Sequence, residues 1–435
     1  MQSFDVLLVG GGFGGTAAAL ALERRLRHRP ERVLLVSPDN FFTFTPLLPE
    51  AASGTLEPRH SVIPLRQLLS RTQVAAGRIT ALDLTARTAQ VEDLNGRSHD
   101  LGYRSVVLSP GAVPAVFPIP GLAEQAVGFK TLPDAIWLRD RVLRQLEAAE
   151  TTDDLGRRRQ LLTFTFVGGG YAGVEALAEL ESLARDALAT YDRVSAADVR
   201  WVLVEATNGI LPGLDRRLAS YSEAQLRTRG IEIHLGTRME SCVGGEVVLS
   251  DPGIPPYRSD TIVWTAGQRP DPLARHVGLT TDDRGRVVVD DHLRVSGYDS
   301  VYAVGDAAAV PDPTGGLCPA TAQHAIRQGK VAGENAAADL GAGTPRPFRY
   351  RNRGLAVTLG KHRGTAQVKR FVFTGPLAWW MGRSYHLLML PGNVRRARIL
   401  TDWSLALLFP RDVSSLGALG ARAPLPAQEG GPAAG

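Results

Sequence analysis

Two stretches of this chain repeat one glycine pattern, Gly10-Gly11-Gly12-Phe13-Gly14-Gly15 and Gly168-Gly169-Gly170-Tyr171-Ala172-Gly173. The spacing suits one piece of chemistry, the seating of a pyrophosphate on backbone. The first glycine permits a tight turn, the second lets backbone approach the phosphates, and the third lets a helix pack closely on a strand. A helix opening at that point adds free N–H groups and partial positive charge. Both stretches have this setting: an apolar β-like run precedes each, over residues 4–9 and 162–167, and a helix-like run follows, over 16–26 and 174–188. One such turn occurs in many α/β proteins. Two in matching settings predict a chain that binds two dinucleotides and passes electrons between them.

The side chains around the turns differ. A second strand ends in most such units at an acid that bonds ribose hydroxyls. In the first unit, residues 32–36 lead to Ser37, with Asp39 two positions on; in the second, 199–204 lead to Glu205. A carboxylate there accepts a ribose 2′-hydroxyl and repels a 2′-phosphate, so the second site is expected to prefer NAD(H) to NADP(H). Residues 187–198 read as an insertion that lengthens the helix and its return loop. Further strands end in glycine turns: 105–108 before Ser109-Pro110-Gly111, 261–265 before Ala266-Gly267, and 300–304 before Gly305-Asp306. Glycine at a strand end lets backbone pass near a cofactor, and an aspartate after it can bind a ribityl hydroxyl. Each is also an ordinary turn sequence.

Composition bounds the chain without identifying it. Its 435 residues are 44% hydrophobic and 21% charged, enough for two or three domains with sizeable cores. Two cysteines, Cys242 and Cys318, exclude a disulfide scaffold and fit a reducing compartment. The formal charge of +5 is spread along the chain, which argues against nucleic acid and leaves a basic patch against anionic lipid as the better fit. No signal peptide is expected before the first strand, and no apolar run reaches the roughly 18–20 residues of a membrane span. No metal is expected.

The order of these motifs resembles the two-dinucleotide flavoproteins, over nearly the whole chain from residue 4 to about 364. The resemblance implies an α/β fold of two Rossmann-like dinucleotide-binding domains, the NAD domain inserted in the FAD domain. The FAD domain would comprise residues 1–115 and 285–345, the NAD domain 116–284, and a C-terminal membrane-associating region 346–420, with 421–435 a disordered tail. It implies that Gly10, Gly12 and Gly15, with Phe13 and Gly14, hold the FAD pyrophosphate and that Gly305 and Asp306 serve the ribityl chain. Gly111, Thr45, Pro46, Ala322 and Gln323 complete the FAD set. Gly168, Gly170, Tyr171, Gly173, Glu205 and Gly267 would hold NADH.

Within that family, disulfide reductases need a cysteine pair near the flavin, and residues 40–52 contain none. Sulfide:quinone reductases need two cysteines that meet; Cys242 falls in a strand and turn of the NAD domain, and both cysteines also read as small buried hydrophobes. The closer resemblance is to type II NADH:quinone oxidoreductases. Phe44-Thr45-Pro46-Leu47-Leu48-Pro49-Glu50-Ala51 is similar to their loop over the isoalloxazine, and residues 319–328 to their quinone-site helix, with Gln323 at its first glutamine. Arg327 stands where the second is expected, with Gln328 beside it. Glu175 reads in two ways: a carboxylate favoured by the dipole of the helix first turn, or, by resemblance, a catalytic group beside the nicotinamide. Lys361 and His362 read either as a surface turn or as groups serving proton uptake.

Beyond residue 371, two short apolar stretches, 377–390 and 399–409, flank Arg395, Arg396 and Arg398. They combine Trp, Leu and Arg as interfacial helices do, or they pack on the protein or in a homodimer. The expected activity is an FAD-dependent, non-pumping NADH dehydrogenase of the respiratory chain. It would carry hydride from NADH to FAD and two electrons on to a membrane quinone, on the cytoplasmic side of the cell membrane. A soluble NADH:ferredoxin or rubredoxin reductase, a sulfide:quinone reductase-like protein and a non-catalytic NAD(H)-sensing protein are the alternatives.

Overall fold

A computed structural model describes residues 2–350 and 354–415; the tail expected over 421–435 lies outside the described residues. The fold is α/β, and contacts divide it into two compact units. One is drawn from residues 1–43, 62–113 and 268–352, the other from 44–61, 114–267 and 353–435.

In the first unit, strand Gln2–Val9 lies at the centre of a parallel sheet, between Val33–Ser37 and the second half of Ser98–Leu108. The start of Gln73–Asp83 extends it beyond Val33–Ser37, and Val301–Ala303 beyond Ser98–Leu108. The two long strands change partners midway. Their outer halves pair antiparallel with Thr88–Asp93 and form a meander. The central strands bury Val6, Leu7, Leu8, Leu35, Val106 and Val107, the continuous apolar pattern of strands covered on both faces. Helix Phe13–Arg25 opens directly from the first glycine turn, three residues before the run read from sequence, because the turn's own residues supply its first turn.

Helix Ala322–Asp339 crosses Phe13–Arg25 at backbone distance. A Cβ at Gly329 would overlap the carbonyl oxygen of Gly14, and one at Gly333 would lie 2.5 Å from that of Ala18. Small residues on both faces make this crossing possible, and it sets the position of Gln323.

The second unit repeats the plan. Its parallel sheet runs Ile231–His234, Arg200–Val204, Thr163–Val167, Thr261–Trp264, Ala126–Val127, again with the turn-bearing strand at the centre. Helix Tyr171–Ala187 opens from the glycine turn and ends where the expected insertion begins. Residues 354–374 add a three-stranded antiparallel sheet. Helices Gly375–Met389 and Asn393–Leu408 follow.

The unit boundaries differ from the domain limits read from sequence. The return to the first unit comes at 267/268 rather than 284/285, and residues 44–61 group with the second unit. The reason for the latter is packing. All five residues of helix Leu48–Ala52 are buried, against helices Leu132–Thr151 and Tyr171–Ala187.

The crossing at Gly329 yields a stability test. Gly329→Ala should force the two helices apart at a cost of about 1–3 kcal/mol, typical of overpacking, and lower Tm and retained flavin together. Lys330→Ala, at an exposed position of the same helix, should change neither in calorimetry or absorbance.

Candidate functional site

The first turn fits a pyrophosphate by shape. Gly10 takes φ +100°, and a Cβ there would overlap the carbonyl of Ser109; a Cβ at Gly15 would overlap the carbonyl of Gly10. At Gly12 nothing lies within 4 Å, and Gly12 caps the helix with no side-chain hydrogen bond. The helix N–H groups therefore face open space where an anion is stabilised. Thr16 Oγ1 donates to Gly11 O at 3.0 Å and steadies the loop. Phe13 packs edge-on against Phe42, and Gly14 serves the helix crossing as much as any ligand. Ser37 ends the second strand with its side chain beside Gly11.

Elsewhere in this unit, Gly305 N donates to Gln328 Oε1 at 2.8 Å, which fixes the Gly305–Ala307 turn bearing Asp306. Thus Gln328, buried, is a support for that turn. Helix Ala322–Asp339 starts after Thr321, whose hydroxyl accepts from His324 N. Ala322 and Gln323 are its first residues, and Tyr350 Oη donates to Gln323 Oε1 at 2.8 Å. Arg327, in the place of the second glutamine, lies over the Tyr350 ring at 4.2 Å. Cys318 is buried and unpaired; its Sγ and ligand atoms of Asp312 and His324 lie within 4.8 Å of one another.

The second turn has the same geometry and one addition. Gly168 takes φ +111°, Gly170 caps the helix with no side-chain bond and open space, and a Cβ at Gly173 would overlap the carbonyl of Gly168. Glu205 now stands where Ser37 stands in the first unit. Its Oε2 accepts from Gly169 N at 2.6 Å, and its Oε1 from Thr207 N and Oγ1 at 2.7 Å each. Three donors thus aim one carboxylate at the turn. Gly267, at φ +83°, lies beside Ala115 and Phe117. Burial raises the Tyr171 phenol to about 12. Cys242 is buried among Leu122, Val247, Leu249 and Ile262, as a small hydrophobe.

Glu175 corrects one expectation. Because the helix begins at Tyr171, Glu175 sits beyond its first turn, and its partner is the backbone N–H of Thr358, at 2.9 Å. Burial pushes its carboxyl up to about 8, with Glu179 and Glu50 adding in the same direction and the Thr358 bond opposing.

That environment is built from charges the sequence reading passed over. Glu50 is buried, bonded by Arg383 Nε and Nη2 at 3.0 and 3.1 Å and by Trp403 Nε1 at 2.6 Å. Burial opposes its charge, and these three donors favour it. The guanidinium of Arg383 lies over the rings of Trp379 and Trp403. Arg411, also buried, approaches Glu179 and Asp186 at 3.8 and 3.5 Å. The available signal was a charge inside an apolar run, as at Glu50, Glu179 and Arg383. Thr45 and Pro46 open the segment that carries Glu50, in the second unit rather than with Gly10–Gly15.

The C-terminal helices divide their side chains. Trp403, expected at a lipid surface, is core. Leu377, Trp380, Leu388, Val394, Leu400, Leu405, Leu407, Leu408 and Phe409 are exposed. Arg396 bonds the carbonyls of Leu388 and Leu390, while Arg398 is exposed. Among the described residues no helix is long and apolar enough to cross a membrane.

Comparison with known proteins gives the family and the fold. A profile of the family described as pyridine nucleotide-disulphide oxidoreductase matches residues 4–329. The type II NADH:quinone oxidoreductase Ndh of Mycobacterium tuberculosis is 30% identical over 419 residues, 93% of this chain and 88% of that one. The demethylphylloquinone reductase NdbB of Synechocystis is 28% identical, over 92% of this chain and 95% of its own. Among solved structures, NDH2 of Plasmodium falciparum in complex with NADH shares the fold at TM-score 0.85 and 17% identity, over 94% and 99% of the two chains.

Glu205 gives the site a direct test. Glu205→Ala should weaken NADH binding about 10- to 100-fold, the worth of a charge-assisted hydrogen bond, and narrow the preference over NADPH. Titration of both nucleotides into the variant and the parent measures it; an unchanged NADH/NADPH ratio contradicts the assignment.

Proposed function

The chain belongs to the pyridine nucleotide-disulphide oxidoreductase family and, within it, to the type II NADH:quinone oxidoreductases, and on that footing we propose how its residues divide the work. One NADH, one proton and one quinone become NAD⁺ and quinol. The first turn would hold the FAD pyrophosphate and the second NADH; when bound, FAD supplies the two-electron redox chemistry. Glu205 would take the adenosine ribose hydroxyls, Asp306 the ribityl chain, and Glu175 would stand beside the nicotinamide. Helix Ala322–Asp339 presents its N-terminus to developing negative charge, and Gln323 bonds the quinone. The observation that carries this reading is the recurrence, in both units, of an uncapped helix N-terminus with open space at the second glycine.

The proton follows from Glu175. A carboxyl raised to about 8 holds its proton at neutral pH and can give it to a reduced quinone oxygen. Below pH 8 the donor is loaded, so quinone reduction should be flat with pH. Above it the loaded fraction falls, so the rate should drop about tenfold per unit, as for any single titrating acid. Anaerobic stopped flow separates the two halves. NADH should bleach the flavin with no such limb, and quinone should restore its colour with it. Glu175→Gln should slow the second half and remove the limb. Failure of quinone to reoxidise the wild-type flavin overturns the function.

Quinones dissolve in lipid, and the exposed apolar side chains of the C-terminal helices, with Arg398, suit an anionic membrane face on the cytoplasmic side. Because Arg383 and Trp403 of these helices hold Glu50, deleting them would unfold the unit, and surface substitutions are the proper probe. Leu400→Ser with Leu408→Ser should release the protein from anionic liposomes in flotation and leave activity with a short, water-soluble quinone intact. Added salt should weaken wild-type binding only in part, since each basic residue contributes roughly 1 kcal/mol. Wild-type protein that stays unbound at low salt assigns these helices to packing or dimerisation.

A further inference from the structure

If Glu175 gives a proton in each turnover, it must be reloaded from solvent, and the second unit holds groups that the proposed reaction leaves unused. Glu179 lies one helical turn on from Glu175, 1% exposed. Thr358 ties the two carboxyls together: its N–H bonds Glu175, and its hydroxyl donates to Glu179 Oε1 at 3.1 Å. Glu179 also lines a chamber of about 10 Å³, with Lys361, His362, Trp379 and Arg411. That is room for one water.

Among the described residues, three buried polar atoms of this lining have no hydrogen-bond partner: Glu179 Oε2, Arg411 Nη1 and Trp379 Nε1. Two donors and one acceptor are the complement of a single water, which accepts from the N–H groups and donates to the carboxylate. Lys361 and His362 are exposed and connect the lining to solvent. The His362 ring packs edge-on against Trp379 at 5.0 Å, and φ +60° fixes its backbone in the turn.

We propose that His362, the chamber water and Glu179 form the proton inlet that reloads Glu175, a role that rests on the functional reading above. The balance is simple. Glu175 loses one proton to the quinone oxygen and becomes a carboxylate. One proton enters from solvent through His362 and the water to Glu179, and passes on to Glu175, one helical turn away and held to the same residue, Thr358. No electron moves along this route. Partial burial, reinforced by Lys361, Arg383 and Arg411, lowers the His362 imidazole.

The charges facing the two carboxyls come from several elements. Glu50 comes from helix Leu48–Ala52, Arg383 from Gly375–Met389, Arg229 from the loop after Arg216–Arg227, and Arg411 from the segment after the last helix. Arg229 also bonds Glu181 and the carbonyl of Ala178.

The test uses full-length, FAD-loaded protein in anaerobic stopped flow with NADH and then a short quinone. Glu179→Gln and, independently, Thr358→Val, which keeps the backbone N–H, should leave flavin reduction within about twofold. Each should slow flavin reoxidation at least about tenfold, a modest share of what acid–base groups supply. The solvent deuterium isotope effect should rise, and formate or imidazole should restore part of the rate. In infrared difference spectra the protonated carboxyl band of Glu175 should return more slowly in both variants than in the parent. Should Glu179→Gln not fold, Thr358→Val and His362→Ala decide. Variants matching the parent in rate, isotope effect and carboxyl band overturn the inlet while leaving the quinone reaction standing. A parent that cannot reduce quinone overturns both.

Discussion

A left-handed glycine pressed against the end of the neighbouring strand is the constraint on which each unit depends. Gly10 abuts the carbonyl of Ser109, and Gly168 abuts Thr265 and Ala266. No side chain fits at either place, and the positive φ would strain any residue but glycine. Once that turn is made, the helix must begin within the motif, the third glycine must lie on the carbonyl of the first, and the second is left facing open space. A polar side chain from the adjoining strand closes each turn. Thr265 Oγ1 donates to the carbonyls of Val167 and Gly168, and Ser109 occupies the same place beside Gly14 and Gly15. Ser37 and Glu205 fill one position in two copies of the plan, so the difference between the sites lies in one side chain on a shared backbone.

The second unit carries a further constraint, the burial of charge. A lone ion in such surroundings costs several kcal/mol, and removing one partner of a buried pair leaves that cost exposed. Glu50 meets it with a two-pronged guanidinium and an indole N–H, and Arg383 meets it with that carboxylate and two aromatic faces. Arg139 does the same for the chain's last described stretch, donating to the carbonyls of Asp412 and Ser414. Segments far apart in sequence are held in one place because none of these charges is satisfied alone.

The parts legible in sequence are those specified by local rules. Glycine spacing, the apolar strands before each turn and the acid at the strand end, Glu205, could be read without a structure, because a tight turn and the residue that ends a strand depend on few neighbouring residues. Helix Ala322–Asp339 was legible at Gln323 through the resemblance of residues 319–328 to the family's quinone-site helix. What escaped were long-range pairings. Nothing local to Trp403 says that its N–H reaches Glu50, so its Trp–Leu–Arg surroundings read as a lipid face. Nothing local to residues 44–61 says that they pack with the second unit, since the partners that bury Glu50 come some 330 positions later. Gln328 carried no local signal of its role beside Arg327, and it turns inward to hold Gly305.

The two C-terminal helices join these threads. Their outward side chains, Leu377, Trp380, Leu400 and Leu408, are apolar and exposed, while their inward ones, Trp379, Arg383 and Trp403, surround Glu50. The same two helices therefore bury Glu50 while one face of each stays apolar and exposed. Burial is the chief cause of the rise of the Glu175 carboxyl to about 8, since a solvated glutamate on the same helix would titrate near its ordinary value. The C-terminal helices therefore act on Glu175 at one remove: Arg383 and Trp403 fix Glu50 in place, and the Glu50 charge is one of those that raise the proton affinity of Glu175.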